Sequence, residues 1–195
     1  MISFERKFIF LHYPKTAGNS LQNHLIQFSS DEKVCEAEHQ DGLERFQVVN
    51  HALRTRKHSK LKDYENALGT DKLNEYFVFS TIRNPWDRLI SRFFSPHQKS
   101  RFWDRNEFIK LVENEDTFED FYVTLSNKKL DYIIRFESLD SDYSTVCELL
   151  SISKARLIKR NASIHEAYKY YYDDELIEMV ARKFHKEIEL GNYSF

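Results

Sequence analysis

The sequence predicts an α/β fold: one domain, a parallel sheet flanked by helices, and a turn at one sheet edge resembling a phosphate-binding loop. Short unbroken apolar runs at residues 8–11 and 76–82 suit strands buried on both faces. An amphipathic helix follows each run directly. Loop-forming residues are scarce in a chain with 4 Gly and 3 Pro among 195 residues, yet Pro14 and Gly18 gather in HYPKTAGNSL at 12–21.

Phe8-Ile9-Phe10-Leu11 is the first strand, and Leu21, Leu25 and Ile26 share one side of the next helix. The turn between them carries Lys15, Thr16, Asn19 and Ser20 into the helix's first turn. A polar stretch runs to about residue 45, then Phe46-Gln47-Val48-Val49 reads as a second strand ending at Asn50-His51, followed by a basic helix over 53–68. Tyr76–Ile82, aromatic and β-branched, is the third strand. Asn84 is an N-cap and Pro85 a first helical residue, with Trp86, Leu89, Ile90, Phe93 and Phe94 forming the apolar stripe. Residues 96–128 are polar, mixed in charge and partly helical, an insertion over one edge in which Phe102 and Trp103 either stack on a ligand or fill the core. Tyr132–Phe136 is another strand, and Tyr143, Val146, Cys147 and Leu150 mark its helix. Asp173 caps a last helix whose stripe is Leu176, Ile177, Val180, Ala181, Phe184 and Ile188. Strands alternating with helices give a parallel sheet. No repeat, low-complexity segment or linker interrupts residues 1–195.

Composition narrows the function classes. With 41% hydrophobic and 31% charged residues and no apolar run of about 18 residues, a membrane span is not expected. Glu5-Arg6-Lys7 precedes an apolar run too short for a secretory signal, so a cytoplasmic protein is expected. Cys35 and Cys147 have neither disulfide-framework nor zinc-site spacing. A net charge of −2 gives no general pull toward nucleic acid. Basic residues do bunch locally, at Arg54, Arg56, Lys57, Lys60 and Lys62 and again at Lys154, Arg156, Lys159 and Arg160.

Ligands of open parallel sheets lie beyond the carboxyl ends of the strands, where Lys15, His51 and Arg83 follow the first three strands. The first turn offers backbone N–H groups, a helix N-terminus and the Lys15 charge, the parts of an anion cradle. The lysine precedes the glycine, unlike the triphosphatase motif G-x-x-x-x-G-K-[ST]. A solvated lysine beside an ordinary turn glycine is the plainer alternative. Kinases and triphosphatases put an acidic Mg²⁺ ligand near such an edge. Here Arg83 stands there, with Ser91 eight residues on beside Arg88 and Ser95 on the polar helix face. This favours a second anion held directly, without a metal, and hence a ligand with phosphates at both ends. The competing reading pairs Arg83 and Arg88 with Asp87 and Glu137 as structural ions.

FIFLHYPKTAGNSL followed by YFVFSTIRNPWDRLISRFF resembles the sulfotransferases that use 3′-phosphoadenosine 5′-phosphosulfate (PAPS), in particular the bacterial relatives of carbohydrate and heparan sulfate sulfotransferases. IIRFESLDSDY and the C-terminal RNASIHEAYKYYYDDE…GNYSF extend the likeness more weakly. The resemblance implies the sulfotransferase fold, PAPS as donor co-substrate without a metal, and transfer to an acceptor hydroxyl or amine, with a sugar favoured. It makes Lys15, Thr16, Ala17, Gly18, Asn19 and Ser20 the 5′-phosphosulfate loop and Arg83 with Ser91 the 3′-phosphate site. Arg160 and Ser163 then fall near the donor's nucleotide end, unless they are only loop residues. Lys15 would stabilise charge on the leaving phosphate, and a histidine is the expected base. His51 is preferred because it ends a strand at the ligand edge, and because the related enzymes place a catalytic His or Glu between the two donor motifs. His39, in the same interval, is the competitor, and His12 packs behind the loop. The basic run after His51 either receives an anionic sugar or is a solvated helix face. A nucleotide kinase with an unusual phosphate loop and a non-catalytic nucleotide-binding module are the alternative functions.

Overall fold

The computed structural model describes residues 1–38, 44–95, 102–160 and 163–195. Ile2–Ser3 (β1) pairs antiparallel with Phe8–Leu11 (β2), and Gly18–Leu25 (α1) follows the turn. Glu32–Glu38 (β3), Glu44–Asn50 (β4) and Thr55–Arg56 (β5) precede Leu61–Leu68 (α2) and Thr70–Leu73 (α3). Phe77–Ile82 (β6) leads into Pro85–Phe93 (α4), then Arg105–Asn114 (α5) and Glu119–Tyr122 (α6). Tyr132–Arg135 (β7), Leu139–Leu149 (α7), Asp174–Lys183 (α8) and His185–Gly191 (α9) complete the order.

The main sheet runs β1-β2-β6-β7, with β2, β6 and β7 mutually parallel. Phe8, Phe10, Phe79 and Ile134 pack on one face against Leu21, Leu25, Tyr143 and Val146 of α1 and α7. Ile9, Leu11 and Val78 pack on the other against Leu61, Tyr64 and Leu73 of α2 and α3. Successive strand residues alternate faces and both faces are covered, so the apolar runs are unbroken. On the far side of α4, Trp86, Leu89, Ile90 and Phe93 pack with α5 and α8. Trp103 belongs to this cluster, against Phe93, Phe108 and Tyr171, while the Phe102 side chain is exposed.

The expected second strand belongs elsewhere. β4 contains Phe46–Val49, but it pairs antiparallel with β3 and β5 in a separate three-stranded sheet. Its burial agrees with that place: Phe46 and Val48 are buried while Gln47 and Val49 are half-buried, the alternation of a strand covered on one face. The basic helix begins at Leu61 rather than 53, because residues 51–60 form turns and β5 and Lys60 takes the extended N-cap position, where the Asp63 carboxylate accepts its N–H. The last apolar stripe spans two helices that break at Phe184. Among the described residues, no helix is long and apolar enough to cross a membrane.

Candidate functional site

β2 and β6 are adjacent and parallel, with Leu11 opposite Ser80, so the loops that follow them emerge at the same edge. There the Arg83 Nη1 donates to the Lys15 carbonyl at 3.2 Å. The ends of the first and third predicted strands thus converge.

Lys15 (φ 66°) and Ala17 (φ 71°) are left-handed, a conformation that costs an L-residue roughly 1–2 kcal/mol. Such geometry in a turn aims backbone N–H groups into a concavity that suits an anion. Thr16 anchors the turn from below: its hydroxyl donates to the Tyr13 carbonyl at 2.6 Å and meets the Thr81 hydroxyl. Its side chain is buried and does not line the cavity, so Thr16 can serve a ligand only through its backbone. Gly18 is required by packing, because the buried His12 ring, held by an Nδ1–H bond to Gln22 Oε1 at 2.8 Å, lies directly over it.

A cavity of about 630 Å³ opens over this turn. It gathers Lys15, Ala17, Gly18, Asn19 and Ser20 with Arg83, Ser91, Arg160 and Ser163. The Ser91 and Ser163 hydroxyls are hydrogen-bonded at 2.8 Å, and Arg160 lies 5.9 Å from the Phe46 ring on the same side. Asn84 caps α4 by accepting from the Trp86 and Asp87 N–H groups, which fixes where Ser91 faces. Arg83 stacks on Phe136 at 4.2 Å and pairs with Asp87, through Nε at 2.8 Å and Nη2 at 2.7 Å. The structural pairing and the cavity position therefore coexist.

Arg88 is not on the polar face with Ser91. It is fully buried, pairing with Glu115 at 3.1 Å and stacking over Tyr13, while Glu137 accepts from the Asn84 N–H and the Tyr193 hydroxyl. Ser95 does reach the cavity. His51 does not. It is exposed, its Nε2 lies 3.0 Å from a Glu32 carboxylate oxygen, and it follows a strand of the other sheet, so the strand-end reason for choosing it falls. His39 lies outside the described residues.

Lys57, His58, Arg92 and Lys159 also line the cavity; in the sequence Lys57 and Lys159 stood out only as members of basic clusters, and His58 and Arg92 were not singled out. Arg92 directly follows Ser91, a signal that could have found it, and its Nε is held by Glu115 at 3.2 Å. Six lining residues are lysine or arginine, and no carboxylate is among the described residues of the lining. Burial, with Arg83 and Arg92 adding repulsion, lowers the Lys15 pKa to about 8. Burial also lowers the His58 pKa; its bond to the His12 carbonyl opposes this, and Lys57 and Arg92 add to it. Among the described residues, no group of three or more His, Cys, Asp or Glu side chains could hold a metal ion.

An α/β sheet whose adjacent strand ends present a left-handed turn, a helix N-terminus and a cation-lined cavity has the architecture of the phosphate-loop class of folds. The model described as the sulfotransferase family matches residues 1–194, and the chain belongs to that family, whose members transfer sulfuryl groups to an acceptor. No curated protein and no solved structure matches the chain.

Proposed function

We propose that the protein moves a sulfuryl group from PAPS to a hydroxyl or amine of a carbohydrate. The observation that carries this reading is that two adjacent strand ends, one bringing Lys15 and Ala17 to Ser20 and the other Arg83 with Ser91, meet in one cavity with no carboxylate among the described lining residues. The donor fits that chemistry: its phosphates accept hydrogen bonds, and the lining offers ammonium, guanidinium, hydroxyl and backbone N–H donors. Lys15 and the start of α1 would hold the 5′ end, where Lys15 neutralises charge on the leaving phosphate. Arg83 and Ser91, with Arg160 and Ser163 beside them, would hold the 3′-phosphate. The cavity volume falls within the roughly 300–1,000 Å³ usual for ligand sites. The sugar acceptor rests on the sequence resemblance to carbohydrate sulfotransferases.

Calorimetry with 3′-phosphoadenosine 5′-phosphate, AMP and ATP in excess EDTA tests the donor. The bisphosphate is expected to bind far more tightly than either of the others; equal affinity for AMP would reject the reading. Transfer of labelled sulfate to a panel of saccharides then separates an enzyme from a module that only binds nucleotide.

A further inference from the structure

A second, more open groove of about 680 Å³ adjoins the cavity and shares Gln47, Lys57 and His58 with it. Its remaining walls come from the β5 turn and α2, including Arg54, Arg56 and Asn66. On the reading that the cavity holds a sulfuryl donor, we infer that this groove admits the acceptor and that His58, on the shared wall, takes the acceptor's proton.

Three observations place His58 for that role. It is one ring removed from the phosphate turn: its imidazole centroid is 4.4 Å from that of His12, and His12 covers Gly18 at the start of α1. Its Nδ1–H donates to the His12 carbonyl at 3.1 Å, which leaves the lone pair on Nε2. The side chain is exposed, open to both spaces, although enough protein surrounds it to lower its pKa, which keeps the ring neutral and able to accept a proton near pH 7.

In the transfer, the acceptor oxygen or nitrogen forms a bond to sulfur, and the bond from sulfur to the 5′-phosphate oxygen breaks. The phosphate keeps that electron pair beside Lys15, and the acceptor proton passes to His58 Nε2. The groove also bears on which acceptor is taken. Arg54 and Arg56 are exposed and make no ion pair among the described residues, whereas the groove's Asp63 is occupied by the Lys60 N–H at 2.8 Å. An acceptor carrying a carboxylate or sulfate suits those walls.

The test uses the full chain, labelled PAPS, a uronic-acid polysaccharide, its carboxyl-reduced form, and water as the acceptor of last resort. His58→Gln, which can keep the bond to the His12 carbonyl, should bind 3′-phosphoadenosine 5′-phosphate within about twofold of the native protein. Its turnover, or its donor hydrolysis if no saccharide reacts, should fall by roughly 10²- to 10⁴-fold. The acidic limb of the native rate profile should lie below the usual imidazole value and vanish in that variant. Arg54→Glu combined with Arg56→Glu should raise KM for the charged polysaccharide at least tenfold with kcat little changed, and His51→Ala should alter neither constant. Native turnover in His58→Gln, or a surviving acidic limb, overturns the assignment of the base. An unchanged KM in the double variant, or equal use of the carboxyl-reduced polymer, overturns the groove. Failure of the native protein to prefer the bisphosphate over AMP would instead reject the donor reading on which both rest.

Discussion

The imidazole of His12 occupies the space where any side chain at residue 18 would begin: a Cβ on Gly18 would stand 2.0 Å from Cδ2 and 2.3 Å from Nε2. The ring is buried and fastened by Gln22, so it has little room to yield. Gly18→Ala should therefore destabilise the fold by about 3 kcal/mol or more, as overpacking of a tight core does, and abolish binding of 3′-phosphoadenosine 5′-phosphate. His12→Ala in the same chain should recover part of the lost stability. Thermal denaturation of the single and double variants decides it, and a native-like melt for Gly18→Ala would show that the turn adapts.

Arg83 faces the cavity while its guanidinium is held by the Asp87 carboxylate, the Lys15 carbonyl and the Phe136 ring. Arg83→Ala should weaken 3′-phosphoadenosine 5′-phosphate by about 2–4 kcal/mol, the worth of a charge-assisted pair to phosphate, and leave AMP nearly unaffected. Calorimetry with the two nucleotides reads the difference. Loss of fold in this variant would mean that the Asp87 bridge and the Phe136 stack are its main contribution.

Lys15, with its pKa lowered to about 8, is only partly charged in mildly alkaline solution. A phosphate placed beside it favours the ammonium and raises that pKa again, so binding near pH 8 must take up a proton. Affinity should accordingly fall as pH rises through 8, and Lys15→Arg should flatten the dependence. Titration calorimetry in two buffers of different ionisation heat measures the uptake, and equal apparent enthalpies in both would contradict it.

Arg88 is fully buried against Glu115, Tyr13 and Phe184 and does not line the cavity. Arg88→Ala should cost about 3–5 kcal/mol by opening a void and removing one of the two cations on Glu115. Arg88→Met, which refills most of the volume, should cost less. Urea denaturation of both variants checks the order.

The parts of this molecule legible in its sequence are those set by neighbours along the chain. β2 with its turn, and β6 with the Asn84 cap and α4, announce themselves through two-faced apolar runs and local capping chemistry, and these two units carry Lys15, Arg83 and Ser91. Partners chosen across long separations were not legible. β4 has the composition of a strand, but nothing in Phe46–Val49 says that it pairs with β3 and β5 rather than with β2. Arg88 sits where a polar helix face was expected and is drawn inward by Glu115, which lies 27 residues on. His58 was hidden inside a supposed helix, and Lys57 stood out there only as part of a basic cluster. The break before Leu61 turns them toward the cavity.

The concentration of cations without a described carboxylate in the lining has a consequence for discrimination. At physiological salt the field of such a group decays over about 8 Å, so at the cavity mouth any polyphosphate is drawn in much like any other. Attraction of that kind cannot tell one nucleotide from another. On the proposed donor reading, discrimination is left to contact range, to the spacing between Lys15 and Arg83 and to the register of the Ser91 and Ser163 hydroxyls. Changes that preserve total charge but move one of those groups by an ångström should therefore blur nucleotide choice more than changes that simply remove a charge from the rim.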